Sequence, residues 1–149
     1  MSEHRAAISW ILGPHDFETQ SYPRDHTWRL AGGVEIPASA APDYRGDPER
    51  VDPEEAFVAS LASCHMLTFL ALAARKRLVV ERYEDDAVGT MDKNEEGRLA
   101  ITRVLLRPRI CFGGDRQPSA QDVARIHDQA HEHCFIANSV KTEIRLEPE

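Results

Sequence analysis

The residue best placed for chemistry is a single thiol, Cys64, in the middle of a long uncharged run and next to His65. Residues 56–74 contain no Asp, Glu, Lys or Arg. The chain has two other cysteines, Cys111 and Cys134. The reacting form of a cysteine is the thiolate, and burial in apolar surroundings raises the thiol pKa. Midway along a helix, Cys64 gains nothing from a helix N-terminus, so ionisation requires a nearby cation. A unit charge at about 4 Å contributes roughly 4 kcal/mol at an effective dielectric near 20. At about 1.4 kcal/mol per unit, that lowers the pKa by some three units before the desolvation cost.

Two other chemistries compete. Cys64 and His65, with His131, His133 and Cys134, are the residue types that zinc favours. Their spacing is poor: there is no CxxC, and adjacent helical residues diverge by about 100°. His131 and His133 read instead as histidines at a helix C-terminus, where positive charge is favourable. His65 reads as a core histidine with a hydrogen-bond partner, and Cys111, beside Phe112, as structural. The other reading is not enzymatic: an apolar core that binds a ligand or serves a stress-related role, with an incidental thiol. A Cys64 pKa near the ordinary value of about 8.5 favours that reading. There is no Gly-rich phosphate loop, and no metal, haem, flavin or nucleotide is expected.

The elements that must position Cys64 can be read in order. Residues 7–12 and His26 to Leu30 are strand-like, and Gly32-Gly33 turns the chain into a third strand over residues 34–38. The connection over residues 13–26 holds Gly13, Pro14 and Pro23 and reads as loop. Residues 39–51 lead into a helix over 52–77. Asp52 and Glu55 have capping-box spacing, Pro53 suits the first helical position, and Arg75, Lys76 and Arg77 match the far end of the dipole. Apolar residues lie on every face, which predicts burial all round. Strands follow over 78–90 and 99–112, joined by the turn Lys93-Asn94-Glu95-Glu96-Gly97. Ser119 and Asp122 open a second helix that runs to about His133, and residues 140–146 form a last strand. The order β-β-β-α-β-β-α-β, rich in hairpins, predicts an α+β fold with antiparallel sheets in one domain, residues 1–149.

Composition narrows the function. A formal net charge of −7 gives nucleic-acid binding no electrostatic support. The N-terminus has no apolar h-region, and three cysteines are too few for a secreted disulfide scaffold, which together point to the cytoplasm. The run around Cys64 is long enough to span a bilayer. Its Ala and Ser content, its soluble-helix caps and the central His65 argue against that.

The sequence resembles the OsmC/Ohr family, the osmotically inducible and organic-hydroperoxide-resistance thiol peroxidases. One motif is Pro53-Glu54 with Cys64 ten residues further on; the other is Cys134 at the end of the second helix, before the last strand. The resemblance implies that Cys64 attacks the peroxide and Cys134 resolves it. It also implies that an arginine between the first two strands, Arg24, and the helix-opening Glu54 support the thiolate. Arg29 is the nearby alternative to Arg24. Organic hydroperoxides as substrates and an external dithiol as reductant follow from the same resemblance. Many members follow the resolving cysteine with CPxS; here it is Cys134-Phe135-Ile136-Ala137, which implies kinship with OsmC-like branches rather than Ohr itself. Ten helical residues span about 15 Å, so Glu54 and Cys64 of one straight helix cannot meet at one guanidinium. Either the helix breaks or a second subunit supplies the glutamate. The family's intertwined homodimers imply the latter.

Overall fold

β1 (Ala6–Ser9), β2 (His26–Leu30) and β3 (Glu35–Ala38) form an antiparallel meander, with Ala6 opposite Leu30 and His26 opposite Ala38. The computed structural model describes residues 1–149. The chain divides into two compact units, Met1–Ala56 and Phe57–Glu149. The meander belongs to the first. So do a 3-10 turn at Pro42–Tyr44 and a single parallel bridge between Ala38 and Val51. The predicted β2 range is met to the residue, whereas β1 is shorter than expected and ends before Trp10.

Helix α1 (Pro53–Arg75) is continuous. Its capping box forms as the spacing required. The Glu55 amide donates to Asp52 Oδ1 at 2.8 Å, and the Asp52 amide to Glu55 Oε2 at 3.4 Å. At the other end Arg77 takes a left-handed conformation (φ 58°). The Arg77 amide bonds to the Ala74 carbonyl and the Leu78 amide to the Ala73 carbonyl, closing a Schellman motif without the usual glycine.

Burial all round is not what α1 shows. Its buried residues form one stripe at four-residue spacing: Leu61, His65, Phe69 and Ala73. Ala59, Ser63, Leu67 and Ala71 form an exposed stripe with the same spacing, and Leu67 is 59% exposed. A single chain has only enough sheet and helix to cover one side of α1. By length and composition α1 would pass for a membrane span. However, its central His65 is hydrogen-bonded in the protein interior, and its buried stripe forms the protein core.

The two long strands expected after α1 are each interrupted. β4 (Val79–Asp85) and β5 (Val88–Lys93) replace the first, and β6 (Leu99–Leu106) and β7 (Pro108–Gly113) the second. β5 pairs with β6, while β4 pairs with β7 in a separate two-stranded sheet. The break has local causes. Pro108 has no amide hydrogen to continue a ladder. The Arg107 amide bonds to Asp85 Oδ1 at 2.7 Å, and its guanidinium bonds to the Asp86 carbonyl. The turn between β5 and β6 is as predicted. Asn94 Oδ1 accepts from the Glu96 and Arg98 amides, and Gly97 adopts φ 76°.

Helix α2 (Ala120–His133) starts on the anticipated Ser119/Asp122 capping box. A 3-10 turn at Ala137–Ser139 leads to β8 (Glu143–Leu146), which pairs parallel with β6. Periodicity alone did not reveal that parallel pairing. Ascending α1 meets descending α2. Phe69 and Ala73 pack with Ile126 and Ala130, while Leu61 packs with Val104 and Leu106 and, beyond α2, with Ile136 and Val140. Phe69 is fully buried, and burial of such a side chain contributes roughly 1.5–3 kcal/mol.

Candidate active site

The contact of α1 with α2 through His65 and His127 leaves two of the three thiols, Cys64 and Cys134, as neighbours. Cys64 is half-buried on α1; Cys134, the residue that caps α2, is 1% exposed. Cys64 lies near enough to Cys134 to raise its thiol pKa. Burial above all, and then Cys64, push the Cys134 thiol up to about 11. The Ala137 amide donates to Cys134 Sγ at 3.4 Å and partly opposes that rise. Cys134 is therefore a protonated thiol at neutral pH, facing a more accessible sulfur. Phe135, the residue standing where the family has proline, turns outward and is 82% exposed.

Cys111 is not the structural thiol expected from its neighbour Phe112. It is exposed on β7, where Arg82 Nη2 donates to its sulfur at 3.6 Å. Successive strand side chains point to opposite faces. Phe112 therefore packs into the core cluster while Cys111 faces the other way.

His65 behaves as anticipated, buried and hydrogen-bonded, and its partner is His127 of α2. His65 Nε2 and His127 Nδ1 are 3.0 Å apart, and the rings are stacked with 10° between their planes. Phe69 lies against His127, with ring centroids 4.5 Å apart. Burial holds both imidazoles to about 4. His65 is further lowered by His127 and His131, while Asp128 raises His127 slightly. His127 Nε2 is buried and unpartnered. The sequence carried a usable signal for this pair. His127 shares α2's inward face with Val123, Ile126 and Ala130, and an imidazole there needs a polar partner. No three His, Cys, Asp or Glu side chains converge as a metal-ligand set.

Arg24 and Glu54 belong to the N-terminal unit. Arg24 lies in the connection between β1 and β2, as expected, and is firmly held. Its guanidinium donates to the Thr19 carbonyl at 2.9 Å and to the Tyr22 carbonyl, and sits 3.6 Å over the Tyr22 ring. Trp28 Nε1 donates to His26 Nε2 at 2.9 Å, so the His26 ring proton sits on Nδ1, which donates to the Arg24 carbonyl at 2.7 Å. Trp10 Nε1 donates to the Pro23 carbonyl. Trp10, Phe17 and Tyr22 cluster, Trp10 edge-on to Tyr22 and the other pairs tilted, beside an open apolar cleft of about 450 Å³ that Arg24 and Pro53 also line. Within this unit Arg24 bonds to the Thr19 and Tyr22 carbonyls and not to Glu54, whose Oε2 is buried without a partner. Arg29 is committed elsewhere: its Nε donates to Glu35 Oε1 at 3.0 Å. Arg24, like Arg45, directs its hydrogen bonds to main-chain carbonyls rather than to a carboxylate.

The antiparallel sheets and two helices make an α+β fold that matches OsmC-like structures. The chain belongs to the OsmC-like protein family, whose family model matches residues 46–149. The same fold, over 100% of both chains, occurs in an OsmC-like protein of unknown function from Vibrio cholerae, at 47% identity and a TM-score of 0.97. An organic hydroperoxide resistance protein OsmC from Legionella pneumophila matches at 16% identity and a TM-score of 0.73, over 100% of this chain and 98% of that one. OhrB of Bacillus subtilis, also an organic hydroperoxide resistance protein, matches at 16% and 0.71, over 99% and 98%. These two share the fold. In sequence, the uncharacterised protein YmaD of Bacillus subtilis is 23% identical over 122 residues, 80% of this chain and 79% of that protein.

Proposed function

We propose that the protein is a thiol-dependent hydroperoxide reductase acting in oxidative stress defence in the cytoplasm. What supports this reading is that the His65–His127 hydrogen bond ties the Cys64 segment of α1 to α2, which Cys134 caps, with Cys64 near enough to raise the Cys134 thiol pKa. The more accessible Cys64, as thiolate, attacks the terminal peroxide oxygen. The O–O bond breaks, Cys64 becomes a sulfenic acid, and the alkoxide takes a proton and leaves as the alcohol. Cys134, still carrying its proton, condenses with the sulfenic acid. An S–S bond forms, and the hydroxyl leaves with that proton as water. The net change is one hydroperoxide and two thiols to one alcohol, one water and one disulfide. An external dithiol then returns two electrons and two protons. No resident cofactor takes part.

Arg24 holds Cys64 in the anionic form, and Glu54 orients Arg24. The continuity of α1 supports a second subunit as the source of that glutamate, so the proposed working unit is a homodimer. The exposed apolar stripe of α1 and the unpartnered Glu54 Oε2 both support a partner chain. Sedimentation at micromolar protein is expected to give a dimer; a monomer removes the shared site.

Stopped-flow consumption of tert-butyl hydroperoxide, cumene hydroperoxide and hydrogen peroxide tests the activity. The alkyl substrates are expected to react faster than hydrogen peroxide. Inertness toward all three returns the protein to a non-enzymatic binding role.

A further inference from the structure

We propose that the buried His65–His127 pair is a register lock between α1 and α2, a pair of positioning residues that keeps Cys64 opposite Cys134. The inference rests on the dithiol reading above and assigns a role to two side chains that the reaction does not touch.

The apolar part of the α1–α2 contact is Phe69, Ala73, Ile126, Ala130 and their neighbours. Dispersion and hydrophobic burial are non-directional. Such a contact tolerates sliding of one helix along the other, and a slip of one turn moves a side chain by about 5.4 Å. That would separate two sulfurs that must come within bonding range. The His65–His127 hydrogen bond is a directional side-chain contact that joins the two helices, and it sits close to the thiol pair in the chain. His65 follows Cys64, and His127 lies two turns before Cys134 on α2. A 3.0 Å bond between stacked rings is satisfied in one register only.

The pair is a poor choice for stability alone. His65 and His127 are 1% and 3% exposed, and His127 Nε2 has no partner. A buried polar group left unsatisfied is costly, and apolar residues of similar shape at both positions can be neutral or stabilising. Buried polar groups that weaken a helical contact yet fix its register are known from coiled coils, where one polar core residue sets the alignment. The pair has that profile.

The test separates stability from thiol alignment. The Cys64–Cys134 disulfide equilibrium is measured against oxidised and reduced dithiothreitol, and urea unfolding is followed in parallel. Two electrons and two protons pass from the protein thiols to oxidised dithiothreitol, so the measurement needs no peroxidase activity. In His65→Leu/His127→Leu the disulfide equilibrium constant is expected to fall by at least about tenfold, while the urea midpoint stays level or rises. His127→Asn, which keeps a polar atom near the Nδ1 position, is expected to fold and to retain the wild-type disulfide equilibrium within about threefold. An unchanged equilibrium in the double leucine variant overturns the lock. So does a fall that the asparagine variant shares. Wild type that forms no Cys64–Cys134 disulfide sinks the resolving-cysteine reading and the lock together. Inertness to peroxides, with the disulfide still forming and still dependent on the pair, removes the peroxidase and leaves the lock.

Discussion

Cys111 and Cys64 lie in the same structural unit but face different partners. Cys111 is exposed on a strand and has a guanidinium 3.6 Å from its sulfur. Cys64 is half-buried between helices and has a second sulfur. A guanidinium favours a thiolate, but at a solvent-exposed pair the effect is screened. A thiolate alone also yields only a sulfenic acid, which has no route back without a second thiol. The helix contact supplies that second thiol, and the strand does not. On the proposed mechanism, turnover depends on the arrangement of α1 and α2 and not on the arginine beside Cys111.

The sharpest way to break this contrast is Cys64→Ser, which is expected to abolish hydroperoxide reduction as followed by stopped flow. Retained activity would transfer the chemistry to Cys111. Next in size, Cys134→Ser is expected to consume about one equivalent of peroxide and stall. Mass spectrometry should then find sulfenic acid on Cys64, and sulfinic acid under excess oxidant. Steady turnover in that variant would mean another thiol resolves the intermediate.

Arg24→Ala is expected to slow the attack step by on the order of ten- to a hundredfold, through loss of charge stabilisation at the thiolate. Alkylation of Cys64 should shift to higher pH in parallel. If Arg29→Ala produces the larger effect, the supporting cation is Arg29.

A smaller effect concerns the stability of the thiol-bearing contact. Burial holds His65 and His127 to about 4, below their ordinary value of 6.5. Between those values the unfolded chain binds protons that the folded chain does not. Stability contributed by the neutral pair is thus complete above about pH 6.5 and is lost as pH falls toward 4. The slope is up to roughly 1.4 kcal/mol per pH unit for each histidine. Urea midpoints measured from pH 7 down to 4.5 should show this decline in wild type and a shallower one in His65→Leu/His127→Leu. The nearby His131 and Asp128 remain in both proteins. Smallest of all, Cys111→Ser should leave peroxide reduction within about twofold of wild type, because surface substitutions away from the reacting groups have little effect.

Much of this arrangement was legible in the sequence because its causes are local. The two capping boxes, the β2 boundaries and the turn at Asn94 to Gly97 each depend on a few adjacent residues. The loop position of Arg24 was legible from the resemblance, and the bonded, buried state of His65 from the cost of burying an imidazole. The split of the long hairpin at Arg107-Pro108 was missed because it depends on side chains reaching from one strand to the acids of the other. The parallel β6–β8 pairing and the His65–His127 contact were missed for the same reason: residues distant in sequence meet through tertiary packing. The expectation of burial all round α1 failed because an apolar helix states a need for partners but does not say that one chain supplies them.

The most direct measurement is a count and map of free thiols before and after one equivalent of cumene hydroperoxide, by alkylation and peptide mass spectrometry without reductant. The expected result is the loss of two thiols per chain, with Cys64 joined to Cys134 and Cys111 still free. Oxidation confined to Cys111, or a full set of three free thiols after exposure, would contradict redox turnover at the α1–α2 contact.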